Sequence, residues 1–284
     1  MLLYPNCKIN LGLRVTEKRP DGYHNIETVF YPVFGLCDVL EVNHSLRTDD
    51  IIFEEDGHVL DCAPEDNLVV RCYRLMRKAY GAIGGVEVRL RKRIPFGAGL
   101  GGGSSDAAYM AYALNELFAL GLTREALADT VSRLGADCAF FLFTPPCYAT
   151  DIGDVLRPIG VQLHGMRLVL LKPDEGVSTQ EAYRGIVPKA LPHLLPDEGV
   201  QEIGISEIMT FRNDFEPSVF ASHPKIAAVK EALLRAGARY AAMSGSGSTV
   251  FGLFEDDAEG SADAKLGRLD EEMSAMIIFN DTLR

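Results

Sequence analysis

Pro95-Phe96-Gly97-Ala98-Gly99-Leu100-Gly101-Gly102-Gly103-Ser104-Ser105-Asp106 is the stretch on which the reading of this chain turns. Five of the seven residues from Gly97 to Gly103 are glycine, and an apolar, alanine-rich segment from Ala107 to Leu120 follows and predicts a helix. Successive backbone N–H groups free of Cβ atoms, ending on a helix N-terminus, form a concave anion site, and phosphate is its natural guest. Ser104-Ser105 offers the helix a cap, which places its start at the end of the loop. The competing reading is a flexible glycine loop without a ligand. Two familiar phosphate loops are excluded. A Walker loop needs Gly-Lys-Ser/Thr at its end, and Gly102 is followed by Gly103. Gly97-x-Gly99-x-x-Gly102 matches the dinucleotide fingerprint, but the preceding strand, Val86 to Arg93, alternates apolar with charged residues. The first strand of a dinucleotide-binding fold is covered on both faces and reads as a continuous apolar run.

Around this loop the composition is that of an ordinary globular protein, 47% hydrophobic and 24% charged over 284 residues, which predicts about two domains. A net charge of −12 repels a nucleic-acid backbone, so no nucleic-acid partner is expected, whereas a nucleotide is still admitted by local N–H dipoles. Cys7, Cys37, Cys62, Cys72, Cys138 and Cys147 show no C-x-x-C spacing and sit mostly in apolar runs, which predicts reduced thiols and no zinc site. Neither a secretory leader nor an apolar run of the ~18 residues needed for a membrane span is present, so the expectation is a soluble cytoplasmic protein with no membrane partner.

Upstream, Cys7, Ile9, Leu11 and Leu13 alternate with Lys8, Asn10, Gly12 and Arg14 in a strand pattern. Lys8 and Asn10 share a face about 6–7 Å apart, either solvated or turned toward a ligand. Arg19-Pro20-Asp21-Gly22-Tyr23-His24-Asn25 is a turn that presents an aromatic ring and an imidazole side by side, suited to a flat heteroaromatic ligand or simply to packing and solvent. Strands are predicted over 27–34, 38–43 and 50–54. A helix is predicted from Leu68, after Asp66-Asn67, to its stop at Gly81, and another from Thr123 to a left-handed cap at Gly135.

In Gly135-Ala136-Asp137-Cys138-Ala139-Phe140-Phe141 a carboxylate stands at the mouth of an apolar run. Buried and unpaired, Asp137 would cost several kcal/mol, so it needs a cation, donors or a raised pKa, unless it serves as a helix cap. Beyond a turn-rich boundary near 155–165 come a strand over 166–172 and a helix whose Ser178 and Glu181 are spaced as a capping box. A proline-bearing surface segment spans 187–204, with helices following over 215–221 and 224–236. Strands flank Ser244-Gly245-Ser246-Gly247, which is either a tight hairpin or a second wall of a phosphate site. A last helix over 261–274 and a strand over 275–279 complete a strand–helix–strand–strand–helix–strand order, which predicts an α+β sandwich of the ferredoxin type.

Pro5-Asn6-Cys7-Lys8-Ile9-Asn10-Leu11, the loop 95–106 and Met243-Ser244-Gly245-Ser246-Gly247, in this order, resemble the three motifs of the GHMP kinases, the galactokinase, homoserine kinase, mevalonate kinase and phosphomevalonate kinase superfamily. Arg19 to His24, Leu100 to Ser105, Leu134 to Asp137 and Asn213-Asp214-Phe215-Glu216 narrow the likeness to the branch that phosphorylates a cytidyl-linked methylerythritol in the non-mevalonate isoprenoid pathway. The resemblance implies an α+β, two-domain GHMP kinase fold. An N-terminal α/β domain over 1–158 would carry the glycine-rich phosphate loop, and a C-terminal ferredoxin-like domain would cover 159–284.

It also implies ATP on Pro95, Phe96, Gly97, Ala98, Gly99, Leu100, Gly101, Gly102, Gly103, Ser104 and Ser105, with Mg2+ whose ligands it does not assign. Lys8 and Asp137 match the catalytic pair. Asn10, Tyr23, His24, Thr179 and Tyr183 match the binding site of a small-molecule cytidyl substrate, and Ser244, Gly245, Ser246 and Gly247 a supporting loop. The acceptor is then the tertiary 2-hydroxyl of the methylerythritol, and the protein a monomer or a homodimer. Cys7, Asp106 and Ala139 depart from the alanine, asparagine and proline common at those positions. Asp106 adds a negative charge beside the phosphates and either faces a magnesium ion or caps the helix. The alternatives are a mevalonate or homoserine type of kinase, a related decarboxylase, or a nucleotide-binding protein without catalysis.

Overall fold

The computed structural model describes residues 1–57, 63–143, 145–188, 193–195 and 202–283. In chain order the strands are β1 (Leu2–Leu3), β2 (Asn6–Lys18), β3 (His24–Cys37), β4 (Val39–His44), β5 (Ile51–Gly57), β6 (Val86–Lys92), β7 (Cys147–Thr150), β8 (Val155–Pro158), β9 (Gly160–Gln162), β10 (Arg167–Leu171), β11 (Glu202–Gly204), β12 (Tyr240–Met243), β13 (Val250–Phe254) and β14 (Ile277–Thr282). The α-helices are α1 (Leu68–Tyr80), α2 (Gly102–Leu117), α3 (Arg124–Val131), α4 (Thr179–Arg184), α5 (Ile205–Ile208), α6 (Glu216–Ser222), α7 (Pro224–Ala236), α8 (Ala262–Leu266) and α9 (Glu271–Ala275). Two compact units divide the chain: residues 1–8, 32–96 and 101–144 form one, and residues 9–31, 97–100 and 145–284 the other.

The first unit is built on a sheet of order β1-β4-β6-β5, in which β5 runs parallel to β6 and the other pairs are antiparallel. The alternation that argued against a dinucleotide fold has a simple cause here. Val86, Val88 and Leu90 turn into the core, while Arg89 and Arg91 face solvent opposite Glu54 and Asp56 on β5. Such exposed pairs contribute little to stability.

Against the sheet's covered side lie α1 and α2. The apolar stripe of α1 (Val69, Val70, Cys72, Tyr73, Met76) is buried, Asn67 caps it by accepting from Val69 N at 2.9 Å, and Gly81 ends it at φ +64°. The structure starts α2 earlier than the composition predicts. Its first residue is Gly102, so Gly103, Ser104 and Ser105 lie inside the helix and the serines are not its cap. Most of α2 is buried, its alanines allowing close packing on every side.

The second unit contains residues 9–18 of β2 and 24–31 of β3, with β7 and β8, from the sheet β2-β3-β7-β8, and a four-stranded antiparallel sheet of order β12-β13-β10-β14. With α7 after β10, and α8 and α9 after β13, the latter is the ferredoxin arrangement expected from the order of its elements. Val229, Leu233 and Ile226 of α7 pack with Val169, Leu171, Val250 and Phe254 of the sheet. Two terminal expectations change. Gly135 is not the left-handed cap of α3, since its φ of 176° is ordinary extended backbone and α3 ends at Val131, with Ser132 as its C-cap. The predicted helix over 261–274 is two short helices, each with its own cap, Ser261 and Asp270. Part of the predicted surface segment over 187–204 and Cys62 lie outside the described residues, and the other five cysteines are free thiols.

Candidate active site

Three glycines of the loop, Gly97, Gly99 and Gly101, are left-handed, with φ of 61°, 72° and 71°. Two of them could be nothing else. A Cβ on Gly99 would stand 2.0 Å from the carbonyl oxygen of Ser244, and one on Gly101 would stand 2.8 Å from the Phe141 ring and 3.3 Å from Cε of Lys8. Gly101 is the N-cap of α2, and Ser105 N is the first amide seen bonded back onto it, at 2.9 Å. The amides of Gly102, Gly103 and Ser104 are therefore donors that the helix itself leaves unpaired, at the positive end of its 16 residues.

Within the first unit this helix start lies beside the expected pair. Lys8 Nζ is 3.4 Å from Asp137 Oδ2, with the lysine side chain 4% and the carboxylate 34% exposed. Lys8 is thus on the covered face of β2, not the solvated one. Asp137 sits one residue into a 3-10 helix, Ala136–Leu142, whose cap is Gly135, so it is neither a cap nor unpaired. Its apolar neighbours Phe140 and Phe141 are buried behind it. A surface pocket of about 190 Å³ in this unit is lined by Asn6, Tyr109, Tyr112, Arg124 and Phe141 among others; none of the expected site residues lines it.

Asp106 does not do what either expectation asked of it. It is the fifth residue of α2, past any capping position, and its carboxyl is buried against Lys92, with Nζ 2.6 Å from Oδ2. Lys92 also donates to Asp38, which accepts from the backbone N–H of Arg93 and Ile94 as well. Neither Lys92 nor Asp38 was singled out in the sequence, where one ends a charged strand and the other opens a strand. Only the fold brings them together.

The second unit gathers the remaining residues. Asn10 donates from Nδ2 to Thr28 Oγ1 at 3.0 Å and from its backbone N–H to Ser244 Oγ at 3.2 Å. Ser244 in turn donates to the Gly99 carbonyl at 2.9 Å. Asn213 spans the same turn from below, donating to the carbonyls of Met243 and Gly245 at 2.8 Å each, while Glu216 accepts from Met243 N. The glycine–serine loop between β12 and β13 is therefore tied to residues 97–100 rather than standing free. Thr28 is a site neighbour that the sequence reading missed, and nothing in its apolar strand context marks it.

The Pro-Asp-Gly turn places its two rings differently. The His24 ring stacks on Tyr183, centroids 4.6 Å apart and 19° from parallel, while Tyr23 is 62% exposed. Tyr183 meets Phe215 edge-on at 4.8 Å. Partial burial and nearby Lys18 hold the His24 imidazole below its ordinary pKa, so it is neutral at about pH 7 and offers one donor and one acceptor. Thr179 and Ser246 face each other hydroxyl to hydroxyl at 3.4 Å. Arg19 ties the turn down through Asp21, Asn25 and Asp151. No group of three or more His, Cys, Asp or Glu side chains that could hold a metal occurs among the described residues, so the side chains here do not form a metal centre by themselves.

Comparison with known proteins places the chain in a family. The family model of the GHMP kinases N terminal domain matches residues 67–144, and that of the GHMP kinases C terminal matches residues 201–267. The 4-diphosphocytidyl-2-C-methyl-D-erythritol kinase of Bacteroides thetaiotaomicron is 47% identical over 262 residues, 90% of this chain and 93% of that protein. The corresponding kinase of Bacteroides fragilis is 46% identical over 279 residues, 96% of each. A crystal structure of 4-(cytidine 5'-diphospho)-2C-methyl-D-erythritol kinase superposes with a TM-score of 0.78 at 33% identity, over 98% of this chain and 96% of that one. Mevalonate kinase superposes at 0.64 with 15% identity over 99% and 98%, which shows the shared fold alone. This chain belongs to the GHMP kinases, and among them to the family of 4-diphosphocytidyl-2-C-methyl-D-erythritol kinases.

Proposed function

We propose that this protein transfers the γ-phosphoryl group of ATP to the tertiary 2-hydroxyl of 4-diphosphocytidyl-2-C-methyl-D-erythritol, giving the 2-phosphate and ADP. The observation that carries the reading is the ion pair of Lys8 and Asp137 beside the unpaired amides of α2. Those amides, with the backbone of residues 95–105, receive the ATP phosphates at the positive end of the helix. Asp137 accepts the proton of the substrate hydroxyl or polarises it. Lys8, fixed by burial, orients the carboxylate and offsets the charge that spreads over the phosphoryl oxygens. A tertiary alcohol is a hindered and weakly acidic nucleophile, so in-line positioning supplies much of the rate.

Cytosine is held by the aromatic set of Tyr23, His24 and Tyr183. Stacking sets its plane, and the neutral imidazole forms one hydrogen bond to its edge. Asn10 and Thr179 lie close to the substrate, and the clamped loop Ser244–Gly247 holds residues 97–100 in place. A magnesium ion accompanying the ATP phosphates would neutralise part of their charge. The domain limits we assign are 1–158 and 159–284.

An assay of ATP-dependent phosphorylation of the cytidyl substrate decides the reading. Turnover with magnesium present, inhibited by CDP but not by mevalonate or homoserine, is expected. Absence of turnover overturns it. Asp137→Asn is expected to keep ATP affinity while kcat falls about 10²–10⁴-fold, the range for a lost general base. A wild-type rate in that variant removes Asp137 from the mechanism.

A further inference from the structure

Behind the phosphate loop the first unit encloses three charged side chains that the catalytic reading does not use. Lys92, Asp38 and Asp106 are each 3% exposed or less. The ammonium of Lys92 lies directly beneath the first turn of α2, 3.3 Å from where a Cβ on Gly102 would stand. With both carboxylates ionised, the group carries one negative charge, buried close behind a site built for anions.

The two acids are not equivalent. Asp38 receives donors on both oxygens, the backbone N–H groups of Arg93 and Ile94 on Oδ1 and Lys92 on Oδ2. Asp106 is bonded to Lys92 through Oδ2, while its buried Oδ1 has no hydrogen-bond partner among the described residues. A buried carboxylate with a bare oxygen is the costly arrangement, and a protonated carboxyl beside a second carboxylate is the cheap one. We propose that Asp106 holds a proton against Asp38 and Lys92, so that the buried triad is neutral and the glycine loop keeps its affinity for the nucleotide phosphates. Loss of that proton to solvent leaves a net negative charge behind the loop and weakens phosphate binding. Asp106 is in this sense a positioning residue for charge, acting through the loop without touching the nucleotide. The inference rests on the reading that ATP phosphates occupy residues 95–105.

The pKa directions agree. Burial pushes the Asp106 carboxyl up, Lys92 offsets part of this and Asp38 adds to it, leaving it at about 8. Burial works against the Lys92 charge, but Asp106 and Asp38 outweigh it and hold the amine above its ordinary value. Lys92 from β6 and Asp38 before β4 are the charged groups that act on this carboxyl. The titratable thiols that face α2 meet it elsewhere: Cys72 of α1 donates to the Ala107 carbonyl, and Cys138 of the 3-10 helix lies by Ser104. Burial, the largest cause in each case, raises both above the ordinary thiol range.

Two measurements on the full chain test this. Infrared difference spectra of the ligand-free protein, wild type minus Asp106→Asn, should show a protonated carboxyl band at about pH 6.5 that is lost by about pH 9.5. Absence of the band at the lower pH overturns the proposal whatever the nucleotide does. In parallel, the Kd of magnesium–ATP in wild type should rise about tenfold between about pH 7 and pH 9.5, a shift of the size expected for one buried charge near the phosphates. In Asp106→Asn the same titration should be flat, because the amide cannot ionise.

Asp38→Asn provides the independent check. It keeps an oxygen for the Arg93 and Ile94 amides, leaves Lys92 and an ionised Asp106 as a neutral pair, and should also flatten the profile while abolishing the band. A role confined to structure would alter affinity equally at every pH. Equal pH slopes in wild type and both variants would therefore overturn the coupling. Failure of ATP to bind at any pH would instead overturn the assignment of the loop, and the infrared band would still decide the proton.

Discussion

Asp106 shows at the scale of one residue how far local sequence can mislead. Beside a phosphate loop, a carboxylate reads as a cap or a metal ligand, because both are what an aspartate does at a helix start. Its partners are 14 and 68 positions upstream, at Lys92 and Asp38, so no window around residue 106 contains the answer. The raised pKa has a consequence for stability. Between about pH 4, where a free aspartate ionises, and about pH 8, the folded protein holds a proton that the unfolded chain has released. Unfolding then releases a proton, so the contribution is fully present below about pH 4 and is lost as pH rises toward the folded value. Melting temperature should decline across that window in wild type, and Asp106→Asn should decline less. A parallel decline in the two proteins would remove Asp106 as its source. Lys8 and Asp137 were more legible, because a lysine on a strand of alternating pattern and a lone carboxylate before apolar residues each stand out locally. That they meet at 3.4 Å is a fact of the fold.

At the scale of elements, α1, α7 and the strands β6, β10, β12 and β13 follow from periodicity and caps, as at Asn67, Gly81 and Gly237. The start of α2 did not, since glycine is a poor helix former and three of them before two serines read as loop. Packing overrides propensity there. A Cβ on Gly102 would stand 2.9 Å from Ile94, so the helix begins on residues small enough to lie over the end of β6. Gly101→Ala tests the cradle. Its φ of 71° and the contacts with Phe141 and Lys8 predict a loss of stability of about 1–3 kcal/mol. The KM for ATP should rise with it, since the donors of α2 are displaced. An alanine variant with unchanged KM and melting temperature would show that the loop tolerates other geometries. Leu233→Ala, in the core of the second unit and not itself a proposed site residue, should cost about 2–5 kcal/mol. Its effect should appear in denaturant unfolding rather than in KM.

At the scale of the whole molecule, a net charge of −12 is compatible with the proposed site for anions because the relevant field is local. Ligand-dependent stability separates the two proposed halves of substrate recognition. ATP and CDP, each at about a hundred times its Kd, should stabilise the protein by about 2.7 kcal/mol. Tyr183→Ala should abolish the response to CDP and spare that to ATP. Loss of both would mean that Tyr183 supports the fold rather than the cytosine. The ordered motifs Pro5 to Leu11, 95–106 and 243–247, with the alternation of strand and helix patterns, determined the family and the fold class and marked Lys8 and Asp137 as the candidate reacting pair. These are read from residue type and local period, which need no tertiary contact to be expressed. The tertiary structure alone decided which groups meet: the ring of His24 on Tyr183, the Ser244 hydroxyl on the Gly99 carbonyl, the Asp106 carboxyl on Lys92. It also decided that the glycines at 102 and 103 are helix rather than loop. Hydrogen bonds between residues tens to hundreds of positions apart, and the burial that fixes their protonation, are properties of the packed chain, and no local pattern encodes them.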